Sequence, residues 1–86
     1  MQPGMLTPAQ LRAARALLGW SRHDLAVKSR TALETVQGFE SRGADSRSST
    51  LLKWQRALEI AGVEFIYSAD GKGPGVRLKK DERGKQ

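Results

Sequence analysis

The chain has 86 residues, enough for one small domain with a single modest core. It contains no cysteine and one histidine, which excludes a disulfide framework and a structural zinc site. Its net charge of +6 suggests a polyanionic partner. However, residues 1–76 hold ten basic and seven acidic residues, so half of the excess lies in residues 77–86. A solvated basic tail therefore explains the charge as well as nucleic-acid binding does.

The predicted organisation is a flexible lead-in over residues 1–6, a helical domain over 7–62, a β-hairpin over 63–80 and a basic tail over 81–86. The start, MQPGMLTPAQ, lacks the basic and apolar regions of a secretory signal. The longest apolar runs are only a few residues, too short to span a membrane. We therefore expect a soluble cytoplasmic protein with no membrane partner.

The first predicted helix follows a strong start signal at Thr7 and Pro8. A threonine hydroxyl can accept hydrogen bonds from the free N–H groups of a first turn, and proline needs no hydrogen bond at the first helical position. Gly19 suits the left-handed conformation that ends many helices. Between these signals an apolar stripe recurs at helical spacing, formed by Leu11, Ala14 and Leu18.

The next stretch, WSRHDL, raises the question of a catalytic cluster because it holds Ser21, His23 and Asp24. Successive helical residues point about 100° apart, so His23 and Asp24 cannot face each other as a catalytic triad requires. The stretch fits a capping box instead, in which Asp24 accepts from the Ser21 N–H and Ser21 accepts from the first turn. Trp20 is placed to pack against Leu25. The sequence therefore predicts a helix start and no enzyme.

The second helix is predicted to run to about Lys28, and the turn over residues 29–31 joins it to a third helix over about 32–40. Thr31 and Glu34 form a second possible capping box. The apolar residues expected to face inward from the third helix are Val36 and Phe39.

A loop and a fourth helix are predicted next. The stretch SRGADSRSST, residues 41–50, is rich in Gly, Ser and Asp and has little apolar content, which predicts the loop. Ser48 or Ser49 is expected to cap a helix that extends through Ala61 and precedes Gly62. One face of this helix carries Leu51, Trp54, Leu58 and Ala61.

The composition changes after Gly62. VEFIY is β-branched and aromatic, SADGKGPG is rich in turn residues, and GVRLKK alternates in polarity, which together predict a β-hairpin. An isolated hairpin is marginal in water, so we expect it to pack on the helices or to pair with a second subunit. The glycines of GKGPG lack the GK[ST] ending of a phosphate-binding loop, so a plain turn is predicted there.

Two short helices joined by a tight turn have the lengths of a DNA-binding helix-turn-helix. The run LTPAQLRAARALLGWSRHDLA…ETVQGFE…ALEIAGVEFI…GPGVRLK, over roughly residues 6–79, resembles bacterial regulators of the Cro/phage-repressor (XRE family) helix-turn-helix type. It is most similar to the short ones that end in a GVEFI…GVRL hairpin. This resemblance implies a mainly α, compact lambda-repressor-like domain of four to five helices with a short C-terminal β-hairpin. It also implies that the third helix lies in the major groove.

The resemblance further implies contacts with the phosphate backbone. Arg22, at the start of the second helix, matches a backbone contact, where a cation and free helix N–H groups suit a phosphate. Thr35 matches a position used for phosphate or base contacts. Arg42 and Arg47 are candidates for the flanking backbone or the minor groove. Each arginine is equally consistent with an ordinary solvated side chain.

The outward, base-facing positions implied by the resemblance are Leu33, Glu34 and Gln37. Gln37 can pair bidentately with adenine, Glu34 can accept from cytosine N4, and Leu33 can touch a thymine methyl. Glu34 fits a helix cap better than a base reader. Gln37 is the strongest candidate because it is polar, mid-helix and opposite the buried face.

Three residues depart from the family pattern. Arg30 stands where a glycine is usual, and a left-handed backbone is strained at any other residue. Ala32 replaces the preferred serine cap, and Gly38 replaces a longer polar side chain at a cost of about 1 kcal/mol. Residues 19–47 hold five basic and four acidic residues, a net charge of only +1.

The predicted function is a sequence-specific transcriptional regulator, a repressor or autoregulator, that binds double-stranded DNA as a homodimer at the bacterial nucleoid. The hairpin is the candidate dimer contact because its short strands have exposed edges. The alternative is an antitoxin that also binds a toxin, or a protein-interaction module that keeps the fold but reads DNA weakly. No catalytic residue, cofactor or metal is predicted.

Overall fold

The computed structural model describes residues 6–44 and 46–80. Four helices are followed by two strands: α1 (Pro8–Leu18), α2 (Arg22–Ser29), α3 (Leu33–Arg42), α4 (Ser48–Ile60), β1 (Val63–Ile66) and β2 (Gly75–Leu78). The described chain is therefore mainly helical with a small antiparallel hairpin, as predicted. None of its described helices combines the length and apolarity needed to cross a bilayer. Most of the predicted lead-in (residues 1–5) and the whole predicted tail (81–86) lie outside the described residues.

α1 begins and ends where the sequence predicts. The Thr7 hydroxyl accepts from the Gln10 N–H at 3.1 Å, and the Gln10 side chain accepts from the Thr7 N–H at 3.0 Å. Gly19 ends the helix with a φ of 70°. Leu6, assigned to the flexible lead-in, is only 5% exposed and belongs to the core. The ordered domain therefore begins before the Thr7 cap.

The predicted capping box of α3 is wrong. Ala32 is the N-cap residue and no side chain caps the helix. The Thr31 hydroxyl accepts instead from the indole N–H of Trp54, at 2.9 Å. It also lies 2.9 Å from the Ser29 hydroxyl. The Thr31 hydroxyl therefore joins the turn to α4, a contact that the local sequence does not indicate.

The boundaries of α3 and α4 also differ from the prediction. α3 continues through Arg42, beyond its predicted end at residue 40, because Gly43 (φ 64°) is the residue that adopts the left-handed conformation. The predicted loop is correspondingly shorter. Arg47, rather than either predicted serine, is the N-cap residue of α4, and it makes no side-chain cap. Ala61 is the C-cap residue and is exposed instead of facing the core.

One hydrophobic core joins the four helices and the hairpin. Trp54 is fully buried, and its ring centroid lies 5.2 Å from that of Phe39 in α3. The predicted inward residues Val36 and Phe39 are buried, and Trp20 packs against the core that contains Leu25. The buried apolar residues are Leu6, Leu11, Ala14, Leu25, Ala26, Val36, Phe39, Trp54, Leu58, Val63 and Phe65.

A buried glutamine attaches the hairpin to α1. The Gln10 amide nitrogen donates to the carbonyls of Ile66 (3.2 Å) and Gly75 (3.1 Å), one on each strand. Gln10 is 3% exposed, so both of its bonds are protected from water. β1 also contacts α4. Packing on the helices, one of the two predicted alternatives, is therefore confirmed.

The turn between α2 and α3 stores backbone strain at Arg30, whose φ of 60° lies in the left-handed region. A non-glycine residue there costs roughly 1–2 kcal/mol. Arg30→Gly should raise the free energy of unfolding by about 0.5–1 kcal/mol, the relief being offset in part by the greater entropy of unfolded glycine. Urea denaturation measures the change. Arg30→Ala, which removes the side chain but keeps the strain, is the control, and an equal gain in both variants would contradict this explanation.

Candidate nucleic-acid interface

The stretch WSRHDL forms the N-terminus of α2 as a capping box. The Ser21 hydroxyl accepts from the Asp24 N–H at 2.9 Å, and the Asp24 carboxylate accepts from the Ser21 N–H at 2.8 Å. The bond from the Ser21 backbone is the main reason that the pKa of Asp24 lies below its ordinary value. Both acceptors are therefore engaged in holding the helix start, as predicted. His23 is exposed beside them.

The solvent-facing side of α3 carries a polar stripe. Glu34, Gln37 and Ser41 are exposed and follow one another at helical spacing of three and four residues. The Ser41 hydroxyl donates to the Gln37 carbonyl. Thr35 is also exposed, on the adjoining flank. The stripe is therefore a row of hydrogen-bonding groups open to an external partner.

Leu33 differs from the other predicted base-reading residues. It is only partly exposed and packs against the hydrophobic core. The outward position that the resemblance implies therefore holds only in part for this residue. Its position as the first residue of α3, directly after the turn, places it between core and surface.

Gly38 is explained by the side chain that covers it. The glycine is buried, and a Cβ added at this position would lie 3.1 Å from the guanidinium nitrogen Nη2 of Arg42. Arg42 is thus folded back along α3, one turn after the glycine. A longer side chain at position 38 would compete with Arg42 for this space, which gives the glycine a physical reason.

A buried carboxylate ties α3 to the two preceding helices. The Glu40 side chain is 0% exposed and receives two hydrogen bonds from Arg15 of α1, at 2.6 and 2.7 Å. Arg22 of α2 donates a third from Nε at 3.0 Å. A third guanidinium, that of Arg12, donates to the Glu40 backbone carbonyl. Sequence reasoning missed this cluster because its partners lie 18 to 28 residues apart and have no local signature.

The arginines around Glu40 change the local charge expected from the sequence. Two arginines bind the Glu40 carboxylate and a third binds its backbone carbonyl, so the junction of the three helices carries a net positive charge. Arg22 keeps 37% of its side chain exposed and is the first residue of α2. A cation at the positive end of a helix is suited to bind an anion such as a phosphate. The net charge of residues 19–47 leaves out Arg12 and Arg15 and therefore understates this local charge.

The two remaining predicted phosphate-binding residues flank α3 on its C-terminal side. Arg42 and Arg47 are exposed, on either side of the short loop that follows α3. Both side chains are open to solvent. Asp45, in the loop between them, lies outside the described residues. Over residues 6–44 and 46–80, no three potential metal ligands are grouped together.

No protein-family model matches the chain, and none of the curated proteins matches it significantly.

Proposed function

We propose that this protein is a sequence-specific DNA-binding regulator of the helix-turn-helix type, with α3 as the recognition helix. The observation that carries the proposal is the exposed polar stripe of α3, held in place by the buried Glu40 cluster. A helix of this size fits the major groove of B-DNA edge-on, and its outward side chains then meet the base edges. The proposed fold class is lambda-repressor-like.

Gln37 is the main base-reading residue in this proposal. Its exposed amide offers one donor and one acceptor, the pattern that pairs with N7 and N6 of adenine. Glu34, one turn earlier, can accept from cytosine N4. Leu33 packs partly against the core, and the exposed part of its side chain would contact a thymine methyl. All of these residues lie on α3, before the helix ends at Gly43, so a single stretch of the major groove would hold them all.

The phosphate contacts would come from both ends of this unit. Arg22 and the N-terminus of α2 would bind the backbone on one side of the groove. Arg42, Arg47 and Thr35 would bind it on the other side or in the adjoining minor groove. Glu40 orients Arg22 through the Nε bond and leaves 37% of the Arg22 side chain exposed.

A homodimer on a two-fold symmetric site completes the proposal. One recognition helix reads few base pairs, and two copies double the interface and set the half-site spacing near one helical turn. Such a regulator would act in the bacterial cytoplasm as a repressor or autoregulator.

The second candidate function is that of a protein-binding module or antitoxin. An apolar groove of about 240 Å³ between α2 and α4 favours it. Trp20, Ala57 and Ile60 line this groove, and Ile60 is 88% exposed. Lys28 borders it, with its ammonium 5.9 Å from the centre of the Trp20 ring. A protein partner could cover these residues while α3 remains on DNA, so the two functions are compatible.

Selection of bound sequences from a random duplex pool, followed by gel-shift titration, tests the DNA-binding proposal. For about four neutralised phosphates, affinity should fall on the order of 100-fold between 50 and 200 mM salt. Gln37→Ala should lose preference at one base position, worth about 1–3 kcal/mol of discrimination. Arg22→Ala should weaken binding to all sequences alike.

Arg56→Ala is the matched control, because it removes an exposed positive charge from α4 and should leave affinity within about twofold at physiological salt. Equal losses for Arg22→Ala and Arg56→Ala would mean that only net charge matters. If the pool yields no preferred sequence and the salt dependence is flat, the module is the better assignment.

A further inference from the structure

Gly38 lies on the side of α3 that is otherwise exposed. It follows Glu34 by four residues and precedes Ser41 by three, so helical spacing places it beside two members of the polar stripe. Val36 and Glu40, each two residues away, are buried on the opposite side of the helix. Gly38 is nevertheless buried, so a group other than the core must cover it.

The covering group is the end of the Arg42 side chain. A Cβ at position 38 would lie 3.1 Å from Arg42 Nη2 and 3.8 Å from Arg42 Cζ, so the guanidinium lies over the glycine. The Ala44 Cβ is 3.7 Å from the same point, and the Ala44 N–H donates to the Gly38 carbonyl at 3.2 Å. Long side chains of a helix lean toward its N-terminus. The Arg42 guanidinium therefore lies near the middle of α3 and not beyond its C-terminal end.

This guanidinium is open to solvent although its position is defined. Arg42 is exposed, while its end group contacts Gly38. Within residues 6–44 and 46–80, the arginines that form ion pairs are Arg15, Arg22 and Arg77, and Arg42 is not among them. Arg42 therefore presents charged N–H donors on the outward side of the helix, beside the polar stripe.

We propose that Arg42 reads guanine in the major groove, with its guanidinium donating two hydrogen bonds to O6 and N7. The planar fork of an arginine matches these two acceptors, and no other base offers the pair in the major groove. For Arg42, this role replaces the phosphate contact that the resemblance implies. The inference rests on the proposed function because it requires α3 to lie in the groove. It adds a guanine to the adenine assigned to Gln37.

Gly38 allows this contact in two ways. Without a side chain at position 38, the Arg42 guanidinium can lie against the helix, and the helix can approach the base edges closely. Any larger residue there would push the guanidinium outward or sideways, since the nearest atom to an added Cβ belongs to Arg42. Glycine weakens the interior of a helix. We therefore assign it a role in recognition and not in stability.

Selection from a random duplex pool tests the role of Arg42. The natural chain should prefer guanine at one position of each half-site, and Arg42→Ala should lower that preference about tenfold while keeping the adenine preference due to Gln37. Arg42→Lys keeps the charge but not the planar fork, so it should lose the guanine preference as well. Arg47→Ala, which removes a proposed phosphate contact, should weaken binding to all sequences alike. A uniform loss in Arg42→Ala, with the guanine preference kept, would overturn the inference.

A guanine analogue tests whether the contact is made to the base itself. Replacing the preferred guanine with 7-deazaguanine removes the N7 acceptor and should weaken binding of the natural chain about tenfold, with no further effect on Arg42→Ala. Gly38→Leu fills the space of the guanidinium and should lower the guanine preference as Arg42→Ala does, with circular dichroism confirming that the variant folds. Equal sensitivity of the natural chain and Arg42→Ala to the analogue would contradict the assignment.

The outcomes separate this inference from the proposed function. A natural chain that selects no preferred sequence would overturn both. A natural chain that is sequence-specific, but whose guanine preference survives in Arg42→Ala, would overturn the inference alone and leave α3 as the recognition helix.

Discussion

Replacing Glu40 with alanine is expected to lower the free energy of unfolding by about 3 kcal/mol. The Glu40 carboxylate is fully buried, and its removal leaves Arg15, which is 15% exposed on its side chain, without its ionic partner. The loss of one member of a buried ion pair is costly because the remaining charge has been taken from water without compensation. Chemical denaturation followed by circular dichroism measures this loss. For so small a domain, it is a large fraction of the total stability.

Two companion variants separate the charge from other effects. Glu34→Ala removes an exposed carboxylate from the same helix and should change stability by less than about 0.5 kcal/mol. Glu40→Gln keeps the shape and part of the hydrogen bonding but not the charge, so its effect should lie between those of the two alanine variants. If Glu40→Ala and Glu34→Ala are equally mild, the cluster does not hold the three helices together.

Trp54→Ala is expected to destabilise the domain by about 3–5 kcal/mol. The Trp54 ring is fully buried and packs against Phe39 of α3. Its N–H also binds the Thr31 hydroxyl in the turn between α2 and α3. The substitution therefore leaves a cavity and removes the polar contact that joins α4 to this turn. Thermal unfolding should show the variant largely unfolded at temperatures where the natural chain is folded.

The contributions of the Trp54 ring volume and of its hydrogen bond to stability can be measured separately. Trp54→Phe keeps most of the ring volume and should cost about 1–2 kcal/mol, because Thr31 retains Ser29 as a partner. Leu52→Ala, at an exposed position of α4, controls for any effect of substitution in that helix and should cost less than about 1 kcal/mol. A Trp54→Ala protein as stable as the Leu52→Ala protein would contradict the assigned role of Trp54.

Both variants also bear on the proposed function. Glu40 and Trp54 lie outside the polar stripe of α3. Each nevertheless binds a residue of a neighbouring segment and so helps to position the stripe. We expect their loss to weaken DNA binding through unfolding, with sequence preference unchanged in the fraction that remains folded. Gln37→Ala should do the reverse, since Gln37 is exposed and outside the core. A comparison of stability with base preference therefore distinguishes scaffold residues from reading residues.

The sequence alone determined the features that depend on near neighbours. The caps of α1 and α2, the glycine at the end of α1 and the residue types that predict the two strands all act within a few residues, and each of these elements is present. The exposure of Gln37 followed from its position opposite the buried face of the third helix. Such signals are readable because hydrogen bonds and side-chain spacing in a single turn involve residues adjacent in the chain.

The tertiary structure decided what distant residues do to one another. Thr31 binds Trp54 instead of capping α3, Gln10 binds both strands, and Glu40 gathers arginines from two other helices. A charged or polar residue has the same appearance in sequence whether it is solvated or buried with a partner. The difference arises because burial removes water, so a polar group must then bind whatever the fold brings to it.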